Sequence, residues 1–574
     1  MIWNIFFMFG GVAAMMIGMK VMGSALEKVA GGGMKKLLGK VTTNRFAGVG
    51  VGVAVTSIIQ SSTATTVMLV GFVNIGLMTL VQAANVIMGA NIGTTVTAHI
   101  VSLSGIGQID IGSIAAMIGC VGILMAMLIK NEKIENIGNI LAGLGLIFVG
   151  LEFISTYAKL IMFANDGGSF ILDANGEKVP FEWVRFLFQG EHFPLLLIII
   201  GIVLTALVHS SSTITSLMVV LASINVLSFE NALFLALGSN IGTCITSIMS
   251  SAGTHVNAKR TAIFHLLFNT FGCIIFIAPL WIWKAEVTSF FSSISNDVGQ
   301  QIAVFHTLFN IVTTLVLLPL VQYVVKLTCF IVPEKKGEED DRFNFAYIDE
   351  RLLSTPPVAV GNTKNEIIRM SKYAIDNIND SVEMLLNEGE DNTDAIHSNE
   401  EVINHFNKAI TAYLTKLMSK ELSDEDDKKV GSYYHVVSDV ERVGDYAENI
   451  MEYSERLRGE EMVFSDEAKA ELKELLSLVN SLYKKAIEAF DKRSVEILSE
   501  VDKLEQEIDD LSAELENKHI ERVKEGMCTA ELGSIYLQTV SNLERVGDHI
   551  TNVAFSIRQY RHSHAYINKD LKTV

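Results

Sequence analysis

The sequence predicts an all-α chain in two parts: a polytopic membrane protein built from inverted repeats, then a water-soluble pair of three-helix bundles. Three observations carry that reading. The 574 residues are 49% apolar and 19% charged, where a soluble domain carries roughly 25% charge. The charges divide at Pro333, with a net of +2 before it and −21 after it. A polar pattern near residue 60 also recurs 149 residues later without a gap.

The apolar part comes first. Residues 46–109 contain no Asp, Glu, Lys or Arg, and residues 192–258 contain only Glu230. At roughly 20 residues per crossing, each run predicts about three hydrophobic passes. The run Ile2 to Met19 has no basic residue before it and reads as a first span rather than a cleaved signal. Five cysteines with no CxxC spacing support neither a disulfide nor a zinc site. The acidity of the second part excludes the basic face that nucleic acid requires, so no nucleic-acid partner is expected.

The repeat places Thr56 on Thr205, Ser61-Ser62 on Ser210-Ser211, Thr66 on Thr215, and Gly89–Thr94 (GANIGT) on Gly238–Thr243 (GSNIGT). Loop charges give its sense, since Lys and Arg stay on the cytoplasmic side. The segment Lys20 to Arg45, read as a loop, holds six basic residues and one acid and lies inside. After GANIGT the next charge is Asp110; after GSNIGT come Lys259 and Arg260. Equivalent loops of opposite sign predict an inverted-topology repeat, which commonly sets a substrate site between its halves. Lys326, Lys335 and Lys336 place the end of this part, and hence the acidic part, on the cytoplasmic side of the plasma (inner) membrane.

The clusters supply the candidate site: Gln60, Ser61, Ser62, Thr63, Thr65 and Thr66 with Asn91, Thr94 and Thr95 in one repeat; His209, Ser210, Ser211, Ser212, Thr213 and Thr215 with Asn240 and Thr243 in the other. Hydroxyls and amides both donate and accept, so they serve a small oxyanion and Na⁺ alike. Gly93 and Gly242 are expected to add flexibility. No charge lies inside the clusters, which disfavours a cationic substrate. Ordinary helix packing also recruits Ser, Thr and Gly, but four clusters kept in one register argue against it. A later pair, Ala262–Asn269 and Ala303–Asn310, repeats His and Asn four apart and is expected to cross-link helices by hydrogen bonds.

The paired Gln-Ser-Ser clusters resemble the sodium/phosphate cotransporter family, the bacterial relatives of the type II cotransporters. The resemblance implies re-entrant helix hairpins carrying the phosphate and sodium sites, with Gln60–Thr63 matching one QSSS motif and His209–Ser212 the other. Thr63 replaces the last Ser of the first motif, and His209 replaces the Gln of the second.

In the acidic part, residues 334–362 have no apolar period and read as a solvated linker. Six amphipathic segments follow at roughly 363–388, 395–420, 427–457, 465–491, 494–525 and 529–560, with 563–574 as a tail. Glu441-Arg442-Val443-Gly444-Asp445 returns as Glu544-Arg545-Val546-Gly547-Asp548, which predicts two tandem three-helix units. Each string sets two carboxylates at i and i+4 beside a mid-helix Gly, two locally unfavourable choices made twice. Such a face binds hard cations through oxygen. The strings resemble the ExxxD motif of PhoU-like domains. That resemblance implies metal ligands at Glu441, Asp445, Glu544 and Asp548, flanked by Asp439 and Asn542. Glu505 and Asp509 would face them from the fifth helix, and Glu400 with Asn404 from the second. The metal would be iron, manganese, magnesium or zinc.

Together these readings predict a sodium-dependent inorganic phosphate symporter with Na⁺ as coupling ion, the lipid bilayer as solvent, a cytoplasmic PhoU-like regulatory domain, and a homodimer as the candidate assembly. A phosphate exporter and a membrane-anchored phosphate sensor are the alternatives. No Walker motif, nucleophile elbow or HExxH string supports an enzyme.

Overall fold

The computed structural model describes residues 2–39, 44–103, 111–129, 131–166, 169–173, 178–334, 341–387 and 391–558. Asp110, Lys335, Lys336 and the tail 563–574 lie outside them. The chain forms two compact units, Met1–Lys336 and Gly337–Val574.

The first unit is helical apart from a short hairpin, β1 (Asn165–Asp166) and β2 (Ser169–Phe170). Its helices are α1 (Ile2–Gly39), α2 (Arg45–Ile59), α3 (Ser62–Asn74), α4 (Leu80–Ser102), α5 (Ile111–Leu128), α6 (Glu132–Met162), α7 (Glu182–Val184, prolonged as a π-turn to Gln189), α8 (Pro194–Val208), α9 (Ser211–Ser223), α10 (Phe229–Ser250), α11 (Val256–Ile282), α12 (Lys284–Ile294), α13 (Val298–Leu317) and α14 (Val321–Ile331). Among the described residues, five helices are long and apolar enough to cross a membrane: residues 2–30 of α1, then α6, α10, α11 and α13.

The repeat survives as structure. Adding 149 to the bounds of α2 and α3 gives those of α8 and α9. Even the turn that follows is kept, with a left-handed Gly76 matched by a left-handed Asn225. Local chemistry sets these boundaries. The Asn44 side chain caps α2, Thr79 and Gln82 form a capping box on α4, and Ser228 caps α10.

Three expectations need correction here. Each charge-free run folds as two short helices and one long one rather than three passes, because the polar cluster interrupts its first apolar stretch. The basic segment from Lys20 is not a loop: α1 runs on to Gly39, since no Pro or strong cap interrupts it. Gly93 and Gly242 are not points of flexibility, because each sits inside an unbroken helix. A methyl group on Gly89 would stand 2.0 Å from the Val49 carbonyl oxygen, and one on Gly238 would stand 2.0 Å from that of Ile198. Gly93 and Gly242 press on Thr56 and Thr205 in the same way. These glycines bring α4 against α2 and α10 against α8 at backbone contact, as small residues do between membrane helices.

Among the described residues the second unit holds six α-helices: α15 (Pro356–Leu386), α16 (Thr393–Met418), α17 (Asp424–Gly459), α18 (Asp466–Lys492), α19 (Leu498–Lys524) and α20 (Ala530–Phe555). They group as α15–α17 and α18–α20, with α17 and α20 packed together and α15 against α18. The expected linker is only partly one. Residues 341–355 form a strap on the first three-helix group, and α15 already starts at Pro356. Buried Glu366 accepts the backbone N–H groups of Tyr347 (2.6 Å) and Ile348 (3.2 Å). Phe345 stacks on His405 at 5.5 Å, Tyr413 donates to the Asp349 carbonyl at 3.0 Å, and Leu352 is sealed from solvent. Too few apolar residues stand in a row there to announce this packing in advance.

Candidate functional sites

In each hairpin the residue ending the first limb adopts a left-handed conformation: Gln60 has φ 57° and ψ 23°, and His209 has φ 57° and ψ 22°. That conformation reverses the chain after one residue and costs a side chain other than Gly of order 1 kcal/mol. Finding it twice, on two polar residues, marks the tips as built features. The next residue caps the second limb: the Ser61 hydroxyl accepts the Ala64 N–H and the Ser210 hydroxyl accepts the Thr213 N–H. The long helix then holds each tip. Thr97 donates to Gln60 Oε1 at 2.8 Å, and Thr246 stands 3.3 Å from His209 Nδ1. Thr97 and Thr246 are themselves equivalent under the repeat. Sequence showed their register but gave no reason to include them in the site.

The hydroxyls divide by what remains free on them. Thr65, Thr66, Thr94 and Thr243 donate to the carbonyls of Ser61, Ser62, Ala90 and Ser239, and Thr95 donates to Ile92. Their protons are spent close to their own positions in the chain; Thr65 in turn accepts the Thr56 hydroxyl at 3.1 Å, and the other four keep lone pairs as acceptors. The backbone N–H groups of Ser62 and Thr63, and of Ser211 and Ser212, open α3 and α9 and have no partner within the helix. Each tip therefore offers anion donors beside cation acceptors. Ser62, Ser211, Thr213 and Thr215 are buried, while Thr63 and Ser212 are half-buried. The two repeats interlock, since α3 packs on α10 and α9 packs on α4.

Three of the four later His and Asn residues tie helices together as expected, while Asn310 donates to the His306 carbonyl within its own helix. His265 Nδ1 lies 3.2 Å from the Ser247 hydroxyl, Asn269 donates to Cys244 Sγ at 3.3 Å, and His306 Nε2 lies 3.0 Å from Asn240 Oδ1. The last contact reaches a candidate site residue, which sequence alone did not reveal.

In the second unit, carboxylate oxygens of Asp509, Glu544 and Asp548 all lie within 4.8 Å of one another. Burial and repulsion act on two of them. Burial, then Asp548 and Asp509, hold Glu544 above its ordinary value; burial, then Asp548 and Asp510, do the same for Asp509. Glu505, one turn from Asp509, is raised by burial and by Asp509 and Asp548. Three or four oxygens repelling one another at an open helix face suit a hard cation.

The equivalent face differs. Asn404 replaces the second carboxylate and donates to Glu400 Oε1 at 3.0 Å, and the other Glu400 oxygen is buried without a partner. A methyl group on Gly444 would stand 2.5 Å from that oxygen, which explains the mid-helix Gly of the first ExxxD string. Burial, then Glu448, Asp445 and Glu441, push Glu400 up to about 8. Burial and Asp445 also raise Glu441, and burial and Glu448 raise Asp445. Asp439 turns away from this face, accepting from His549 Nδ1 (2.9 Å) and Asn552 (3.4 Å) on α20. Its counterpart Asn542 is buried, its NH₂ group without a partner among the described residues.

Two matched hairpins between long apolar helices, joined to a paired three-helix unit with acidic faces, are the architecture of a membrane transporter with an appended helical domain. Comparison with known proteins makes this specific. The Na⁺/Pi-cotransporter family model matches residues 14–156 and 182–310, and the PhoU domain matches 367–454 and 472–557. The chain belongs to the Na⁺/Pi-cotransporter family, in the form that carries a C-terminal PhoU domain. It is 23% identical over 548 residues to the "Putative inorganic phosphate export protein YjbB" of Escherichia coli K12, covering 95% of this chain and 96% of that one. It is 27% identical over 194 residues to the phosphate-specific transport system accessory protein PhoU homolog of Clostridium acetobutylicum, covering 33% of this chain and 87% of that protein. A 100-residue stretch is 37% identical to the rat sodium-dependent phosphate transport protein 2B, covering 17% of this chain and 13% of the rat protein.

Proposed function

We propose that this protein moves inorganic phosphate across the plasma membrane in company with Na⁺, the two ligands sharing a site formed by the hairpin tips, while the cytoplasmic PhoU domain regulates transport. The observation that carries the reading is the division of polar groups at the tips. Phosphate needs donors, and the first-turn N–H groups of α3 and α9 supply them with the positive ends of two helix dipoles. Na⁺ needs oxygen lone pairs, which Thr66, Thr94, Thr95 and Thr243 retain once their protons are spent. Gln60, Ser61, Ser62 and Thr63 with Asn91 form one half-site; His209 to Thr213, Thr215 and Asn240 form the other. An inverted arrangement of the repeats would let the same site face either side in turn.

The likeness to YjbB over nearly the whole chain favours a second reading of direction: the site releases phosphate from an overloaded cell, and the PhoU domain senses the overload. In both readings Asp509, Glu544, Asp548 and Glu505 hold a hard cation such as Mn²⁺ or Mg²⁺, or Fe³⁺, and the metal's charge relaxes their repulsion. Replacement of Ser62 or Ser211 by alanine tests the site. Phosphate movement should fall at least about tenfold with the protein still at the membrane, as expected for losing a hydrogen bond to a charged ligand. Wild-type transport in both variants contradicts the assignment.

A further inference from the structure

Asn91 and Asn240 are equivalent under the repeat, lie at the same place in α4 and α10, and are both buried. They are held by opposite ends. In α4 the Asn91 NH₂ group donates to the Ile87 carbonyl at 2.9 Å, leaving its oxygen without a hydrogen-bond donor among the described residues. In α10 the Asn240 oxygen faces His306 Nε2 at 3.0 Å. His306 is 2% exposed, and its other ring nitrogen is buried with no partner among the described residues. A sealed N–H without an acceptor is rarer and costlier than a sealed lone pair. The proton of neutral His306 therefore sits on Nε2 and is donated to Asn240 Oδ1. That bond fixes the amide of Asn240 with its NH₂ group as the end left to a ligand.

The tips lean the same way. Both ends of the Gln60 amide are engaged, its NH₂ by the Ser57 carbonyl at 2.5 Å and its oxygen by Thr97. In the second repeat the amide is gone and an imidazole, His209, stands in its place.

We propose that the two half-sites are not equivalent: the second repeat is the anion pole, set by His306 as a positioning residue that turns the Asn240 NH₂ toward phosphate, and the first repeat, through the Asn91 oxygen, is the cation pole. The inference rests on the phosphate-transport reading and adds to it which repeat takes which ligand.

The test is phosphate transport by the full chain in proteoliposomes, with KM for phosphate and half-saturation by Na⁺ measured separately. His306→Leu removes the donor to Asn240. His306→Gln keeps an N–H at nearly the place of imidazole Nε2. Asn240→Asp keeps the acceptor for His306 but replaces the NH₂ by a second oxygen. His306→Leu and Asn240→Asp should each raise the phosphate KM at least about tenfold, with Na⁺ half-saturation within about twofold. His306→Gln should keep the phosphate KM within about threefold, and Asn91→Asp should shift Na⁺ half-saturation rather than the phosphate KM. If His306→Leu fails to assemble, Asn240→Asp against His306→Gln carries the comparison, because neither removes the contact between the helices. An unchanged phosphate KM in Asn240→Asp, a loss in His306→Gln as large as in Asn240→Asp, or equal shifts for both ligands overturns the inference while leaving the transport reading intact. Wild-type vesicles that move no phosphate under any cation gradient overturn both.

Discussion

Replacing Gly89 by alanine tests how the hairpin is held. The added methyl would stand 2.0 Å from the Val49 carbonyl oxygen, 2.8 Å from its carbon and 2.9 Å from the Val53 nitrogen. All three are backbone atoms and cannot rotate aside. An acceptable carbon–oxygen contact is roughly 3.3 Å, so α4 must draw back from α2 by about 1 Å. Overpacking of this kind costs about 1–3 kcal/mol. The displacement also stretches the 2.8 Å bond from Thr97 to Gln60, whose loss adds about 1 kcal/mol. Gly50, on the facing helix α2, is the control, because a methyl there meets nothing within 4 Å. It should instead gain a little helix propensity. Thermal unfolding of the detergent-solubilised protein, with phosphate KM and Na⁺ half-saturation in vesicles, reads both effects. Gly89→Ala should melt several degrees lower and shift half-saturation by Na⁺, Gly238→Ala should melt as much lower and raise the phosphate KM, and Gly50→Ala should resemble wild type. Equal melting and Na⁺ half-saturation for Gly89→Ala and Gly50→Ala would refute the backbone-contact argument.

Three more predictions concern the second unit. Asp548→Asn should lower the bound metal measured by elemental analysis of the purified full chain, and an unchanged metal content would remove the Asp509, Glu544 and Asp548 triad from consideration. In metal-stripped protein, Glu400 should make stability depend on pH. Its folded value of about 8 lies above the ordinary 4.5, so its protonated form favours the fold. That contribution is fully present below about pH 4.5 and is lost as pH rises through 8, a span of about 3 kcal/mol after screening. Glu400→Gln should flatten the melting profile between pH 5 and 9, and a profile as steep as wild type would reject the linkage. Phe345→Ala should free the strap, seen as faster amide exchange at 343–353 with α18–α20 unchanged; unaltered exchange there would show that the Phe345 and His405 stack does not hold it.

Much of this architecture was legible in the residues because repetition exposes purpose. The 149-residue register located both hairpins, and the two ExxxD strings located both acidic faces before any coordinates. Other features depend on which neighbour a residue meets. Gly93 and Gly242 read as flexible in sequence, yet they, like Gly89 and Gly238, are places where two helices touch. Asn91 and Asn240 look identical until His306, 66 residues beyond Asn240, is found to hold only one of them. The strap was hidden because its main anchor is buried Glu366 accepting backbone N–H groups, and main-chain partners leave no side-chain signature.

The central claim is that phosphate and Na⁺ share the site at the hairpin tips. Radiolabelled phosphate flux into proteoliposomes of the purified chain, under an inward Na⁺ gradient against an equal choline gradient, tests it most directly. A shared site requires concentrative accumulation that needs Na⁺ and falls at least about tenfold in Ser62→Ala or Ser211→Ala. Phosphate flux indifferent to Na⁺ and unaffected by either substitution would contradict it.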